Sequence, residues 1–316
     1  MDVGKESGQG LLGRKVAPRV TIGMPVYNGE EYIAKTLVSL LGQTYPHFIL
    51  HISDNASTDG TERICREFAG EDSRIVYERN TRNLGATKNF NKLVEAAHTE
   101  YFMWASHDDV WHRSYLERAV SALDGDPPAV LCYAATRVVD EDDQTIKSFA
   151  IASEFHSEHA RVRFRRSLFY PPQSVVFGLL RTEALKRTRL LGNYSASDQV
   201  LAGELALRGR FVGIREHLFY YRRHKHQSTG VKFPTMHSRM AWFDPANRTR
   251  WTFPHWRLLA EHLRGVRASK MALVDRLAIY AAIARWAIRH RRHLVRNLVL
   301  ADARLGAGVA ASQLQR

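Results

Sequence analysis

Between Val20 and Ala135 the chain repeats one unit: a short apolar run, a polar turn, then an amphipathic segment. The runs are VTIGMPV, FILHISD, RIVYE, YFMWA and AVLCYAA, each too short for a helix and rich in β-branched or aromatic residues. The segments between them carry apolar residues at helical spacing: Ile33, Leu37, Leu40 and Leu41; Ile64 and Phe68; Phe90, Leu93, Val94 and Ala97; and the stretch HRSYLERAVSAL. Strands that alternate with helices through short turns predict a mostly parallel, Rossmann-like sheet flanked by helices on both faces. Capping-box spacings from Asn28 to Glu31 and from Asp59 to Glu62 predict the starts of the first two helices, and Pro25 predicts the end of the first strand.

In such a sheet, ligands bind at the carboxyl ends of the strands. Four polar clusters fall there: PVYNGEE, SDNASTDGT, RNLGATKNF and SHDD. The last sets His107, Asp108 and Asp109 directly after an apolar strand, where adjacent carboxylates repel each other and resist desolvation. A divalent cation bound through oxygen ligands would compensate both effects, and a solvated turn with Asp109 as a helix N-cap is the alternative. The first strand is followed by neither a G-x-G-x-x-G fingerprint nor a P-loop, which disfavours a dinucleotide.

The segment from Val20 to about Leu123 resembles the nucleotide-sugar-binding half of family 2 glycosyltransferases, carried by TIGMPVYNGEEYIAKTLVSLLGQTYPHFILHISDNASTDGT, then RNTRNLGATKNFN and HDDVW. The resemblance implies a GT-A fold with a helical C-terminal extension, and an enzyme that transfers a sugar from a UDP- or dTDP-activated donor to a hydroxyl, with inversion. Pro25, Tyr27, Asn28 and Asp54 are then expected to line the nucleotide pocket, Asp54 reaching the base and Asn83 lying near the ribose or pyrophosphate. The family's Asp-x-Asp motif falls on Ser106, His107 and Asp108, so Ser106 replaces its first Asp. Asp108 and Asp109 remain to hold Mn or Mg on the donor diphosphate.

An inverting transferase needs a carboxylate that takes the acceptor's proton, and by the same resemblance Asp198 in YSASDQV is expected to fill that role at the start of a helix, a plain helix N-cap being the alternative. The first histidine of YYRRHKHQS, His224, is a further candidate metal ligand, and Arg222 or Arg223 a candidate phosphate contact, with a solvated basic turn as the alternative reading.

The expected organisation is a loose tail over 1–18 and a catalytic domain over 19–240, split near 135 into donor and acceptor halves. A basic helical region over 241–316 completes it. Charge divides unevenly, with 27 Lys/Arg against 28 Asp/Glu up to residue 216 and 19 against 4 beyond it. The last third is therefore suited to an anionic partner, and its helix over 271–300 to the surface of an anionic membrane, where a lipid-linked acceptor would be presented. Packing on the catalytic domain or on a second subunit is the alternative. Two cysteines in apolar contexts and no signal-like or membrane-spanning stretch suggest a cytoplasmic protein, at most peripheral to the inner membrane face. Two other functions are weighed: a sugar-nucleotide nucleotidyltransferase, whose Gly-rich phosphate loop is missing, and a polyanion binder. Nucleic acid is not an expected partner, because a carboxylate rim opposes it.

Overall fold

Strand β1 (Val20–Val26) is buried along its whole length and pairs in parallel with β2 (Phe48–Asp54) on one side and β4 (Tyr101–Trp104) on the other. The structure, a computed structural model, describes residues 17–170, 175–225, 227, 242–243 and 253–297. Beyond β2 lies β3 (Ile75–Arg79), also parallel. Past β4 the sheet continues through β8 (Leu179–Arg181), β6 (Ala129–Val139), β9 (Arg210–Arg222) and β5 (Val110–Trp111), and β7 (Thr145–Phe149) pairs with β6 as a hairpin around DEDDQ. Of these, β8 runs antiparallel to its neighbours and β9 parallel to β6. The expected mostly parallel α/β architecture is therefore present.

Period-2 alternation divides the core between the two faces. In β4, Tyr101 and Met103 join a cluster with Ile33, Leu37 and Leu40 of α1 (Ile33–Leu41), Cys65 of α2 (Thr61–Glu71) and Leu116 of α4 (Tyr115–Asp124). Phe102 and Trp104 join the opposite cluster, with Leu93 of α3 (Ala86–Glu95), Leu185 of α6 (Thr182–Lys186) and Leu201 of α7 (Ser197–Arg208). At Gly23 a Cβ would sit 2.8 Å from the Phe102 ring, so the close approach of β1 to β4 requires glycine.

A third cluster joins α5 (Ala160–Phe169) and α7 to two further helices, α8 (Pro254–Ala268) and α9 (Leu273–Arg289). Ile279, Ile283 and Trp286 of α9 are buried there, each contributing on the order of 1.5–3 kcal/mol. Helices α8 and α9 thus pack on α5 and α7, the intramolecular packing weighed beside a membrane surface and a second subunit. Arg189 reinforces the junction: it bonds the buried Glu204 of α7 at 2.5 Å and the buried Glu261 of α8. Arg189→Met removes the cation the two carboxylates share but leaves Arg208 at 3.7 Å from Glu204 and Arg257 and Arg264 at 2.7 Å from Glu261, so a loss of about 1.5–3 kcal/mol in denaturant unfolding is expected. Breaking the exposed Arg63–Glu67 pair of α2 by Arg63→Ala should cost about 0.5 kcal/mol or less.

Several expected boundaries are corrected. Pro25 lies inside β1, opposite Ser53 and beyond the last β1–β4 pair at Gly23, so it interrupts no ladder shared with β4. Helix α1 begins at Ile33 without a side-chain cap, because Asn28 has turned away to the second loop. Asp59 accepts from the Thr61 and Glu30 amides in place of a capping box with Glu62. Asp109 caps no helix: β5 follows it, and α4 starts after Ser114. The expected loose tail over 1–18, apart from residues 17 and 18, and the expected domain boundary at 240 lie outside the described residues.

Candidate active site

The strand ends carry a rim knitted by side chains. The ladder extends past β1 and β2 by Asn55 N–H to Val26 O and Asn80 N–H to Asp54 O, both 2.8 Å. Asn28, in the left-handed region at φ 52°, accepts the Thr58 amide at 2.8 Å, locking the first loop to the second. Pro25 lies just inside this edge and Tyr27, 40% exposed, just outside it. Asp54 is fully buried on the floor, accepting from the Ser57 amide and the Tyr77 hydroxyl at 2.8 Å each. Asn83 accepts from Asn55 at 2.9 Å and the Gly85 amide at 2.8 Å, placing it over the start of α3.

At the end of β4, Ser106 Oγ donates to Asp108 Oδ1, and His224 Nε2 lies 2.9 Å from Asp108 Oδ2. Burial tends to raise the Asp108 pKa, but the His224 hydrogen bond, the charge of His107 and the Ser106 hydroxyl outweigh it and hold the carboxyl at about 2. Asp109 goes the other way. Its Oδ1 accepts the Arg222 amide at 2.9 Å, its Oδ2 is buried without a hydrogen-bond partner, and burial plus the neighbouring Asp108 charge raise its pKa well above the ordinary value. Adjacent carboxylates are thus tolerated because one is held ionised and the other is pushed towards the neutral acid. His107 packs its ring against Gly29, where a Cβ would meet it at 2.6 Å.

Strand β9 delivers these partners. Its pairing with β5, Val110 opposite Tyr220, carries Arg222 and His224 back over the Asp108–Asp109 turn. Arg222 is not available to a phosphate. It is 1% exposed and donates to Asp108 O at 3.1 Å, Asp140 O at 2.9 Å and Asp143 Oδ1 at 2.5 Å. Tyr32, which sequence reasoning missed although it lies within the quoted NGEEY, covers both residues: its ring centroid is 4.7 Å from that of His224 and 5.1 Å from the Arg222 guanidinium carbon. Tyr77 and Asp143 were missed as well.

Asp198 lies near the N-terminus of α7, after Ala196 in the left-handed region at φ 66°. The loop before it is tied to α3: Thr87 Oγ1 donates to Gly192 O at 3.1 Å and Asn91 Nδ2 to Leu191 O at 2.9 Å. Asp198 keeps access to solvent, yet the protein surrounding its carboxyl raises its pKa, against the lowering pull of the Gln199 and Asp198 amides. Asn28, Ala56, Asp143 and Ala196, all non-glycine residues at positive φ, lie in the loops around this region, where backbone strain of order 1–3 kcal/mol each is stored.

No trio of His, Cys, Asp or Glu side chains converges among the described residues. The pair Asp108 Oδ2 and His224 Nε2 fits a hard cation nonetheless, since adjacent ligands about 2.1 Å from one ion would lie about 3.0 Å apart. A separate concavity of about 610 Å³ lies between α4 and β9, lined by Arg118, Ile214 and Glu216, none of them among the strand-end residues.

Known proteins bear on this geometry. The chain is 37% identical over 106 residues to the Bacillus subtilis glycosyltransferase TuaG, whose name assigns it to teichuronic acid biosynthesis, covering 34% of this chain and 42% of that protein. It is 26% identical over 168 residues to an uncharacterised glycosyltransferase of Methanocaldococcus jannaschii, covering 52% and 58%. The chain therefore spans about half the length of these curated relatives. Among solved structures, S. aureus TarS residues 1–349 with UDP-GlcNAc superposes at a TM-score of 0.66 and 16% identity, covering 89% of this chain and 79% of that one. A Pyrobaculum calidifontis mannosyltransferase with GDP-Man and Mn2+ gives 0.57 at 19% identity, covering 95% and 81%. Such identities speak for the fold, which is of the GT-A type. The profile of glycosyl transferase family 2 matches residues 21–188, more than half of the chain and the whole of the donor-side rim. The chain belongs to glycosyl transferase family 2.

Proposed function

We propose that the protein is an inverting, divalent-cation-dependent glycosyltransferase that moves a sugar from a UDP- or dTDP-activated donor to a hydroxyl acceptor in cell-surface polysaccharide, glycolipid or glycosylated natural-product synthesis. The observation that carries this reading is the Asp108–His224 pair, 2.9 Å apart, at the strand end that adjoins the Asp54 and Asn83 rim. The nucleotide-sugars named with the solved neighbours, and the Mn2+ of one of them, support a donor of this class and an ion to accompany it.

Each residue then has a role. Pro25, Tyr27 and Asn28 flank the nucleotide and Asp54 meets the base. Asn83 approaches the ribose or pyrophosphate, and Ser106 and His107 border the donor where the family motif stands. Asp108 and His224 hold Mn or Mg, and Asp109 anchors the turn through the Arg222 amide in place of serving as a ligand. The ion, when bound, neutralises the charge of the diphosphate leaving group. Asp198 accepts the acceptor's proton as its oxygen bonds to the anomeric carbon and the bond from that carbon to the diphosphate oxygen breaks on the opposite face. Protein around Asp198 raises its pKa and makes it a stronger base than a solvated aspartate. Cys65 and Cys132, both buried and free, suit a cytoplasmic location.

A panel of sugar nucleotides, incubated with acceptor-containing extract and Mn or with chelator, tests the reading. Metal-dependent release of nucleoside diphosphate, with a product of inverted anomeric configuration, is the expected result. Release of inorganic pyrophosphate would support a nucleotidyltransferase, and no turnover with any donor a polyanion binder.

A further inference from the structure

Helix α9 is apolar on two faces, and among the described residues only one is covered. Ile279, Ala282, Ile283 and Trp286 enter the cluster shared with α5, α7 and α8. On the other side Leu273, Val274, Leu277 and Ile288 are 68%, 71%, 59% and 62% exposed, and Ala281 and Ala284 between them are exposed too. At 3.6 residues per turn, Leu277, Ala281, Ala284 and Ile288 share an arc of about 60°. Arg285 and Arg289 border this strip, and Arg291, Arg292 and Arg296 are exposed just beyond it. The one acidic residue between 273 and 297 is Asp275, bonded to Arg161 at 2.7 Å.

We propose that this outer face of α9 rests on an anionic bilayer surface, its aliphatic strip at the acyl boundary and its arginines at the lipid phosphates. Charge chooses the occupant. A second copy would set Arg285 and Arg289 against basic surface with no carboxylate on that face to receive them, whereas anionic headgroups supply the complement. No helix among the described residues is long and apolar enough to cross a membrane, so the contact is in the plane of the surface. The inner face already fixes α9 to the domain, so docking needs no rearrangement of the fold. The proposal does not depend on the transfer reaction.

Sedimentation of the full-length protein with vesicles tests it. Binding to phosphatidylcholine containing about one third phosphatidylglycerol should exceed binding to phosphatidylcholine alone by about 10-fold or more, and should weaken as salt is raised. Leu277→Glu with Ile288→Glu, and separately Arg285→Glu with Arg289→Glu, should each lower it by about 10-fold or more at an unchanged thermal midpoint, because all four side chains are exposed. Equal binding to both vesicle types, no binding, or undiminished binding by either double variant would overturn the proposal. So would a dimer in light scattering that the Leu277→Glu, Ile288→Glu variant dissolves, which would assign the face to a second copy.

Discussion

Asp198→Asn is expected to lower kcat by about 10²–10⁴-fold, the range over which a positioned general base contributes, while the donor KM stays within about threefold. The substitution keeps the shape of the side chain, so α7 and the loop tied to Thr87 and Asn91 should hold their places. On the proposed mechanism, what is lost is the proton acceptor. The kcat–pH profile of the wild type supplies the second readout. A base works ionised, and the protein around Asp198 raises its pKa, so activity should fall on the acid side at a pH above that of an ordinary aspartate. Asn at this position should abolish that limb along with most of the rate. A loss of kcat below about 10-fold would remove Asp198 from the chemistry.

The second large effect is expected at Asp108. Asp108→Asn should lower kcat/KM by about 10³-fold, or about 4 kcal/mol, because the donor diphosphate would lose the carboxylate that holds its counter-ion. His224→Ala removes the imidazole partner and should cost about 10–10²-fold. Asp109→Asn is the discriminating control. Its Oδ1 accepts a backbone N–H, which an amide oxygen does equally well, and the carboxyl is already pushed towards neutrality, so the Mn requirement and kcat/KM should stay within about fivefold of wild type. Steady-state rates across a Mn titration check all three. A collapse at Asp109 equal to that at Asp108 would make Asp109 a ligand instead of an anchor.

The centre of the sheet was legible because β1 and β4 are buried on both faces: continuous apolar runs such as YFMW and VTIGMPV can hardly be anything else when helices separate them. The helix starts were less so. Asn28 and Asp59 have the chemistry of caps, but the structure uses them to tie one strand-end loop to the next, and nothing local distinguishes the two uses. Asp109 failed as a cap for a related reason, since its partner amide lies 113 residues away on β9. The same distance hid Arg222, which reads as a solvated basic turn in YYRRHK and is instead enclosed by the Asp108 turn and the β6–β7 hairpin. Tyr32 could have been found from its place in the family's opening signature. Asp198 rested on resemblance, because one carboxylate near a helix start carries no signal of its own.

The central claim is that Asp108 makes a divalent ion and a nucleoside diphosphate bind at the strand ends as a pair. A calorimetric titration of the full-length protein with UDP, dTDP and GDP, each with Mn and with excess chelator, addresses it directly. The expected result is saturable heat for at least one nucleotide with Mn, reduced by about 10-fold or more in affinity by chelation and again by Asp108→Asn. Heat that is indifferent to Mn, or that survives Asp108→Asn unchanged, would contradict it.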